Sequence, residues 1–216
     1  MSELKEYNVE GSLIGLGEFI LLEIASESID LEDVQQLVYI PISITVPSGS
    51  YSKKKDEFTY TSTNFVHKTF PIDQIITKGV YKCEFKNNKN ACAFGVMKSG
   101  LVIPFGFGCG TPQYCKDTAY QFEDGMIKQN GKETKGNQTL KLIDTFAIEV
   151  NMSPPRTATF FVDGKQQPVF VSNLPESVQI FFYLSIKDDS ITVLSLKRLE
   201  SPTATNIADA KEAKWE

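Results

Sequence analysis

Through much of the chain, hydrophobic residues recur at every second position, a period that puts them on one face of a strand and scatters them around a helix. In Val38–Val46 the residues Val38, Ile40, Ile42, Ile44 and Val46 share one face, opposite Leu37, Tyr39, Pro41, Ser43 and Thr45. Pro41 has no N–H for a ladder, so this segment reads as an edge or bulged strand. Phe146, Ile148 and Val150 alternate with Ala147, Glu149 and Asn151, a half-buried strand. Ala158, Phe160 and Val162 alternate with Thr157, Thr159 and Phe161. Val178, Ile180, Phe182, Leu184 and Ile186 alternate with Gln179, Phe181, Tyr183 and Ser185. Both faces of that last run are bulky, which predicts a central strand covered on both sides.

Turn residues separate these runs: Pro47-Ser-Gly, Asn130-Gly131, Asp163-Gly164 and Lys187-Asp188-Asp189-Ser190. Asp163-Gly164 is the strongest, because both residues tolerate the positive φ of a type I′ turn. Many short strands at such spacing indicate a sandwich or barrel. Helical signal is weak. Ser28–Leu37 reads as two turns of helix or as a polar connection. Thr205–Glu216 reads as a frayed helix or a mobile terminus, with Trp215, the only tryptophan, placed to pin it.

The 216 residues suit a single sandwich domain. We expect residues 1–200 to form it, with 1–69 completing or extending the sandwich and 201–216 as a tail. Twenty-seven acids against 22 bases leave a net charge of −5, which argues against bulk nucleic-acid binding. The longest apolar run, Phe19–Leu22, is too short to span a bilayer. The polar, acidic start Met1–Glu6 is unlike a secretory signal, and there is no lipidation pattern at either end. The expected setting is therefore the cytoplasm, without membrane attachment.

Four cysteines are too few for a disulfide scaffold, and none has zinc or redox spacing. If Asn87-Asn88 is a two-residue hairpin loop, Cys83 faces Cys92 with Cα atoms about 4.5 Å apart. Two reduced core thiols are the preferred reading. A Cys–His nucleophile would have to use His67, the only histidine, and a lone His in a β segment is more often structural or exposed. No pair of carboxylates has glycosidase spacing. Asp188-Asp189 and Asp117 lack a calcium-loop spacing. Gly106-Phe-Gly108-Cys-Gly110 lacks the Lys-Ser/Thr and helix of a phosphate loop. Its alternating glycines instead suit a turn or a close approach to another backbone. Asn137-Gln-Thr139 matches a glycosylation sequon that the cytoplasmic setting leaves unmodified. We therefore expect no enzyme activity, no cofactor and no metal.

From Phe70 to Leu199, roughly 130 of the 216 residues, the order of segments resembles a SPRY domain, a concanavalin-like β-sandwich. Pro71-Ile72 followed by Gly79–Phe85 (GVYKCEF) is similar to the family's "PI…G…YWEVEV" strand. Ala93–Met97 (AFGVM) resembles its "IGV" strand, and Tyr120–Lys132 with Asn130-Gly131 its middle "Y…G…NG" segment. Asp144–Asn151 (DTFAIEVN) resembles "GDVIGVxLD", and Arg156–Gln167 (RTATFFVDGKQQ) the "tlxFyxNGxxxG" hairpin. Val178–Leu196 is similar to the closing strands. The chain departs from the pattern at Lys82 and at Lys187-Asp188, where the family has Trp and Trp-Gly, and at Pro168, where it has Gly.

The resemblance implies an all-β sandwich of two packed antiparallel sheets and non-catalytic recognition of a protein or peptide through loops at one end. Loops on a rigid scaffold suit that task. The candidate loops are Pro104–Asp124, Asn151–Arg156 and Lys187–Ser190. Tyr114, Tyr120 and Phe122 are the expected aromatic anchors, and Arg156, Lys187 and Asp188 the polar contacts. Two alternatives stay open. One is a carbohydrate-binding module using Tyr114, Gln113 and Asp117. The other is a self-assembling role, with Val38–Val46 pairing to a second copy in a homodimer.

Overall fold

A computed structural model describes residues 40–44, 46, 49, 51–53 and 58–216. The expected segment Ser28–Leu37, most of Pro47-Ser-Gly and Val38, Tyr39 and Thr45 lie outside the described residues. Among those described, fourteen strands form two sheets. One sheet has the order β1 (Tyr51–Lys53), β2 (Thr59–Ser62), β13 (Ser190–Leu199), β4 (Val80–Lys89), β9 (Thr145–Asn151), β10 (Thr157–Val162), β11 (Lys165–Ser172) and β14 (Lys211–Lys214). The other has the order β3 (Lys68–Pro71), β12 (Val178–Leu184), β5 (Ala93–Lys98), β6 (Thr118–Phe122), β7 (Ile127–Gln129) and β8 (Lys132–Thr134). Every pairing is antiparallel except β11 with β14.

The period-two pattern sorts residues between core and surface as alternation requires. Phe85, Phe146 and Phe160 from the larger sheet meet Phe70, Phe94 and Phe182 from the smaller one, all essentially without solvent exposure. Phe85 and Phe146 are cross-strand partners stacked at 5.1 Å, and Phe94 inserts at 4.4 Å from Phe146. Each fully buried phenylalanine contributes about 1.5–3 kcal/mol of hydrophobic stabilisation. β12 lies between β3 and β5 and is buried on both faces, as its two bulky faces predict. Asn130-Gly131 and Asp163-Gly164 are two-residue hairpin loops with positive φ at all four residues.

Several expectations change. Asn87-Asn88 is not a hairpin loop. β4 runs on through Lys89, and the chain then crosses to the other sheet, where β5 pairs with β12 and β6. Asn90, at φ 48°, and the hydrogen bond from Ala91 N–H to Asn87 Oδ1 shape that crossing. Cys83 therefore faces Ile148 and Leu196, not Cys92, and all four cysteines are free thiols. β9 is buried on both faces, not one, because residues 203–204 cover Glu149. Residues 211–214 form a strand rather than a helix, and Trp215 does pack on the core. His67 lies in a loop just before β3, not in a strand.

In the segment 40–46, Ile40, Ile42, Ile44 and Val46 face the core while Pro41 and Ser43 are exposed, the alternation expected there. Instead of a continuous strand, it links the sheets. Ile40 N–H bonds Leu196 O of the larger sheet, and Ile44 bridges Ile72 beside the smaller one. A second link is polar. The buried Asn137 amide donates to Gln121 Oε1 on β6 and to Val169 O on β11, and accepts from Val169 N–H. The sequon asparagine is thus consumed as an inter-sheet tie.

Candidate functional site

The smaller sheet has a second apolar cluster on its outer face, built from Cys92, Ala93, Met97, Ile103, Cys109, Tyr120, Phe181 and Tyr183. The loop between β5 and β6 folds over this face. Its Gly-Phe-Gly-Cys-Gly run does what alternating glycines permit. Gly106 turns at φ 92°, while Gly108 and Gly110 lie against tyrosine hydroxyls. A Cβ on Gly108 would sit 3.0 Å from the Tyr183 oxygen, and one on Gly110 would sit 2.5 Å from that of Tyr120.

Between this backbone and the loop preceding β3 is a cavity of about 280 Å3 lined by His67, Gly108, Cys109, Gly110, Thr111, Tyr120, Phe122 and Tyr183. The His67 ring stacks at 5.8 Å on Tyr183, and its Nδ1 is hydrogen-bonded to the Tyr183 hydroxyl. That leaves Nε2 for a ligand. Tyr120 and Cys109 belong to the same apolar cluster and both line the cavity. Burial, followed by the neighbouring Cys109, pushes the Tyr120 hydroxyl far above its ordinary range, and burial does the same to Tyr183. Both therefore keep their protons at physiological pH and act as neutral hydrogen-bonding groups.

The His67 loop is held rigidly. Buried Lys68 donates to Ser62 Oγ at 2.8 Å, Asn64 Oδ1 at 2.7 Å and Val66 O at 2.8 Å, using all three ammonium protons. Burial lowers the Lys68 pKa, and nearby Asp189 opposes the shift. The same loop displays Phe65, 74% exposed. Ser62 also ties the loop to the turn after β12, donating its N–H to Asp189 O and accepting from Asp188 N–H.

The structure divides the expected site residues. Tyr120 and Phe122 line the cavity, with Lys128 4.8 Å above the Phe122 ring. Tyr114 is half-buried beside the same cluster and meets Phe107 edge to face at 6.2 Å. Lys187 and Asp188 are exposed on the turn joined to Ser62, and Asp188 pairs with Lys89 at 3.4 Å. Arg156 is elsewhere. Ser190, at the start of β13, pairs with Lys89, whereas Asn151, which leads toward Arg156, pairs with Val80 at the other end of β4. The two ends are on the order of 20 Å apart or more, at about 3.4 Å per strand residue. The expectation that all three loops share one end is therefore corrected: Arg156 donates to Leu174 O at 2.6 Å at the far end. Sequence reading missed His67, Tyr183 and Phe65 as parts of one site. The glycine spacing pointed to the close approach, but no linear pattern pairs residue 67 with residue 183.

A second hollow of similar volume, lined by Thr69, Pro71, Met97, Leu101, Val102 and Gln179 among others, is more apolar. Polar groups converge in the His67 cavity, the usual mark of a ligand site. Among the described residues, no group of three or more His, Cys, Asp and Glu is placed to hold a metal ion, and no helix is long and apolar enough to cross a membrane.

No protein-family model matches the sequence, and comparison with curated protein sequences finds no match either. Solved structures do match. The chain is similar to the SPRY domain of human HERC1 at a TM-score of 0.53 and 13% identity, covering 67% of this chain and 92% of that one. It is similar to the PSpry domain of TRIM65 at a TM-score of 0.57 and 7% identity, covering 76% of this chain and 94% of that one. At such identities the likeness is one of architecture, and it agrees with the order of segments in the sequence: this chain has a SPRY-like β-sandwich fold.

Proposed function

We propose that this chain is a non-catalytic recognition module that binds a short segment of a partner protein in the cytoplasm, with one side chain entering the His67–Tyr183–Tyr120 cavity. The observation carrying this reading is the convergence of one imidazole and two protonated hydroxyls on a preformed hollow. Its volume of about 280 Å3 suits a single side chain better than a drug-sized ligand. Phe122 and Tyr114 are the apolar neighbours in this reading, and Lys187 and Asp188 the polar rim. The likeness to SPRY domains adds support at the level of fold alone.

The chemistry of the cavity also favours binding over catalysis. Cys109 and His67 share it, but burial pushes the Cys109 thiol far up, and the imidazole Nδ1 is engaged by Tyr183. An activated thiolate needs the opposite environment. The sugar-binding alternative calls for a freely presented ring, whereas Tyr114 is half-buried against the second cluster.

The test is selection of peptides from a phage-displayed random library on the folded protein, followed by titration of a selected peptide. His67→Ala and Tyr183→Phe should each weaken binding by about tenfold, the effect of losing one hydrogen bond of roughly 1.4 kcal/mol. Arg156→Ala, at the far end, should leave it unchanged. Equal affinity in all three variants, or enrichment of no peptide, overturns the reading.

A further inference from the structure

The segment after β13 ties the two sheets together in a way the recognition reading does not use. From Leu199 it crosses the outer face of the larger sheet. The N–H groups of Thr203 and Ala204 and the Thr203 hydroxyl all donate to the buried Glu149 carboxylate. Thr205 pairs through its N–H and its carbonyl with the Gln166 side chain. A turn at Ile207–Ala210 then brings the chain to the edge of β11, where β14 adds in parallel, Val169 opposite Lys211 through Ser172 opposite Lys214.

The edge reads this strand by side chain as well as by backbone. Ala213 and Trp215 pack on the core, and Trp215 N–H bonds Ser172 O at 2.9 Å. Ser172 donates to Glu212, Gln129 on β7 exchanges hydrogen bonds with the Glu216 backbone, and Lys132 on β8 pairs with the Glu216 carboxylate. The receptor groove is therefore formed by β11 of one sheet and by β7 and β8 of the other, and its occupant is joined to the domain only through the connection that follows β13.

We infer that the β11 groove accepts this same strand from a second copy of the chain, giving a tail-exchanged dimer. The contacts of residues 211–216 named above are reproduced when the strand comes from a partner, so the balance rests on chain entropy and on the connection. The connection permits opening: its turn carries a long backbone hydrogen bond, Ala210 N–H to Ile207 O at 3.3 Å, and residues 208–210 are exposed, so extending it on exchange gives up little. Closure within one chain dominates in dilute solution because the tethered strand is at high effective concentration. Exchange gains with protein concentration. This interface differs from pairing through Val38–Val46, whose described residues already bond Leu196, Asp73 and Ile72 within the chain.

The experiment uses full-length chains carrying Cys115→Ser, to remove the half-exposed native thiol. One population carries Phe170→Cys and the other Glu212→Cys, a pair of residues opposite each other in the β11–β14 register. They are mixed at increasing concentration, warmed to just below the unfolding transition, cooled and oxidised with diamide. A disulfide-linked heterodimer in excess of the two homodimers reports the tail of one copy lying on β11 of the other, because random collision of exposed thiols links like and unlike chains alike. A single chain bearing both substitutions is the control for geometry. The expected result is an internal disulfide in the control and an excess of heterodimer in the mixture, its ratio to monomer rising in proportion to concentration. A linked control with no excess of heterodimer at any concentration overturns the proposal. A control that fails to link overturns it too, since the strand would then not occupy the groove in this register.

Discussion

Gly110 lies so close to Tyr120 that a Cβ on the glycine would stand 2.5 Å from the phenolic oxygen yet 3.7 Å from the ring carbon bearing it. The hydroxyl, not the ring, therefore sets the requirement for glycine. Gly110→Ala should destabilise the domain by about 1–3 kcal/mol, the usual cost of overpacking. Tyr120→Phe removes the obstructing atom, so the Gly110→Ala/Tyr120→Phe double variant should be more stable than the sum of the single effects predicts, by at least about 0.5 kcal/mol. Urea unfolding of the four proteins measures the coupling, and strict additivity would refute the close approach.

The thiols supply a chemical readout of the fold. Burial pushes Cys92 up to about 12 and Cys83 and Cys109 well above their ordinary values. Thiolates react and thiols do not. Iodoacetamide at pH 8 should therefore modify only Cys115 in the folded protein and all four cysteines after unfolding, as counted by mass spectrometry. Early modification of Cys83 would contradict its placement in the core.

Asn137 joins the two sheets through three hydrogen bonds of 2.7–3.1 Å. Asn137→Ala would strand Gln121 Oε1 and both backbone groups of Val169 away from water, while Gln121 Nε2 keeps its bond to Gln138 O. Each buried, unsatisfied group costs about 1–3 kcal/mol. The variant should lose about 3 kcal/mol or more of stability by chemical denaturation, whereas Asn130→Ala, on an exposed hairpin tip, should lose less than half of that.

Asp189 makes stability depend on pH with a definite sign. Burial raises its pKa, and the N–H groups of Ile186 and Ser185 on Oδ2 offset only part of the rise. Glu123 adds to the rise and Lys68 opposes it, while the buried Oδ1 has no hydrogen-bond partner. Between the unfolded pKa near 3.8 and the higher folded value, the native state binds more protons than the unfolded one. The contribution of Asp189 is thus fully present below that window and fades as pH rises through it. The stability difference between wild type and Asp189→Asn should shift against wild type as pH rises from 3.5 to 7. A difference that stays constant with pH would show that the folded pKa is not raised.

Much of the fold is legible in the sequence because alternation and turn chemistry act locally. Asn130-Gly131 and Asp163-Gly164 announce their hairpins, since each pair takes up positive φ with little steric cost. The two bulky faces of Val178–Leu184 announce a strand inside a sheet. Asn87-Asn88 misleads for the same reason it attracts notice: it is turn-compatible, yet it lies inside β4, where Asn87 pairs with Ile191 of β13 and Asn88 falls at a shift of register before Lys89 pairs with Ser190. Local propensity yields to tertiary context in strands more readily than in helices.

The candidate site is legible only in fragments. Tyr120 and Phe122 stand out as aromatic residues beside a glycine-rich loop, but nothing in the linear order joins His67 to Tyr183, 116 residues away. Arg156 and Lys187 both read as loop residues next to strands, and only the pairing registers show that they lie at opposite ends of the sandwich.

What the sequence by itself determined was the class of structure. The period of two, the glycine and asparagine turns and the order of segments specify strands and where they stop, because these depend on neighbours a few residues apart. What only the tertiary structure decided was which strands share a sheet, how the C-terminal segment becomes an edge strand, and how His67, Tyr183 and Tyr120 come to enclose one cavity. Those outcomes depend on burial and on hydrogen bonds between residues from about forty to more than a hundred positions apart, and such pairings have no signature along the chain.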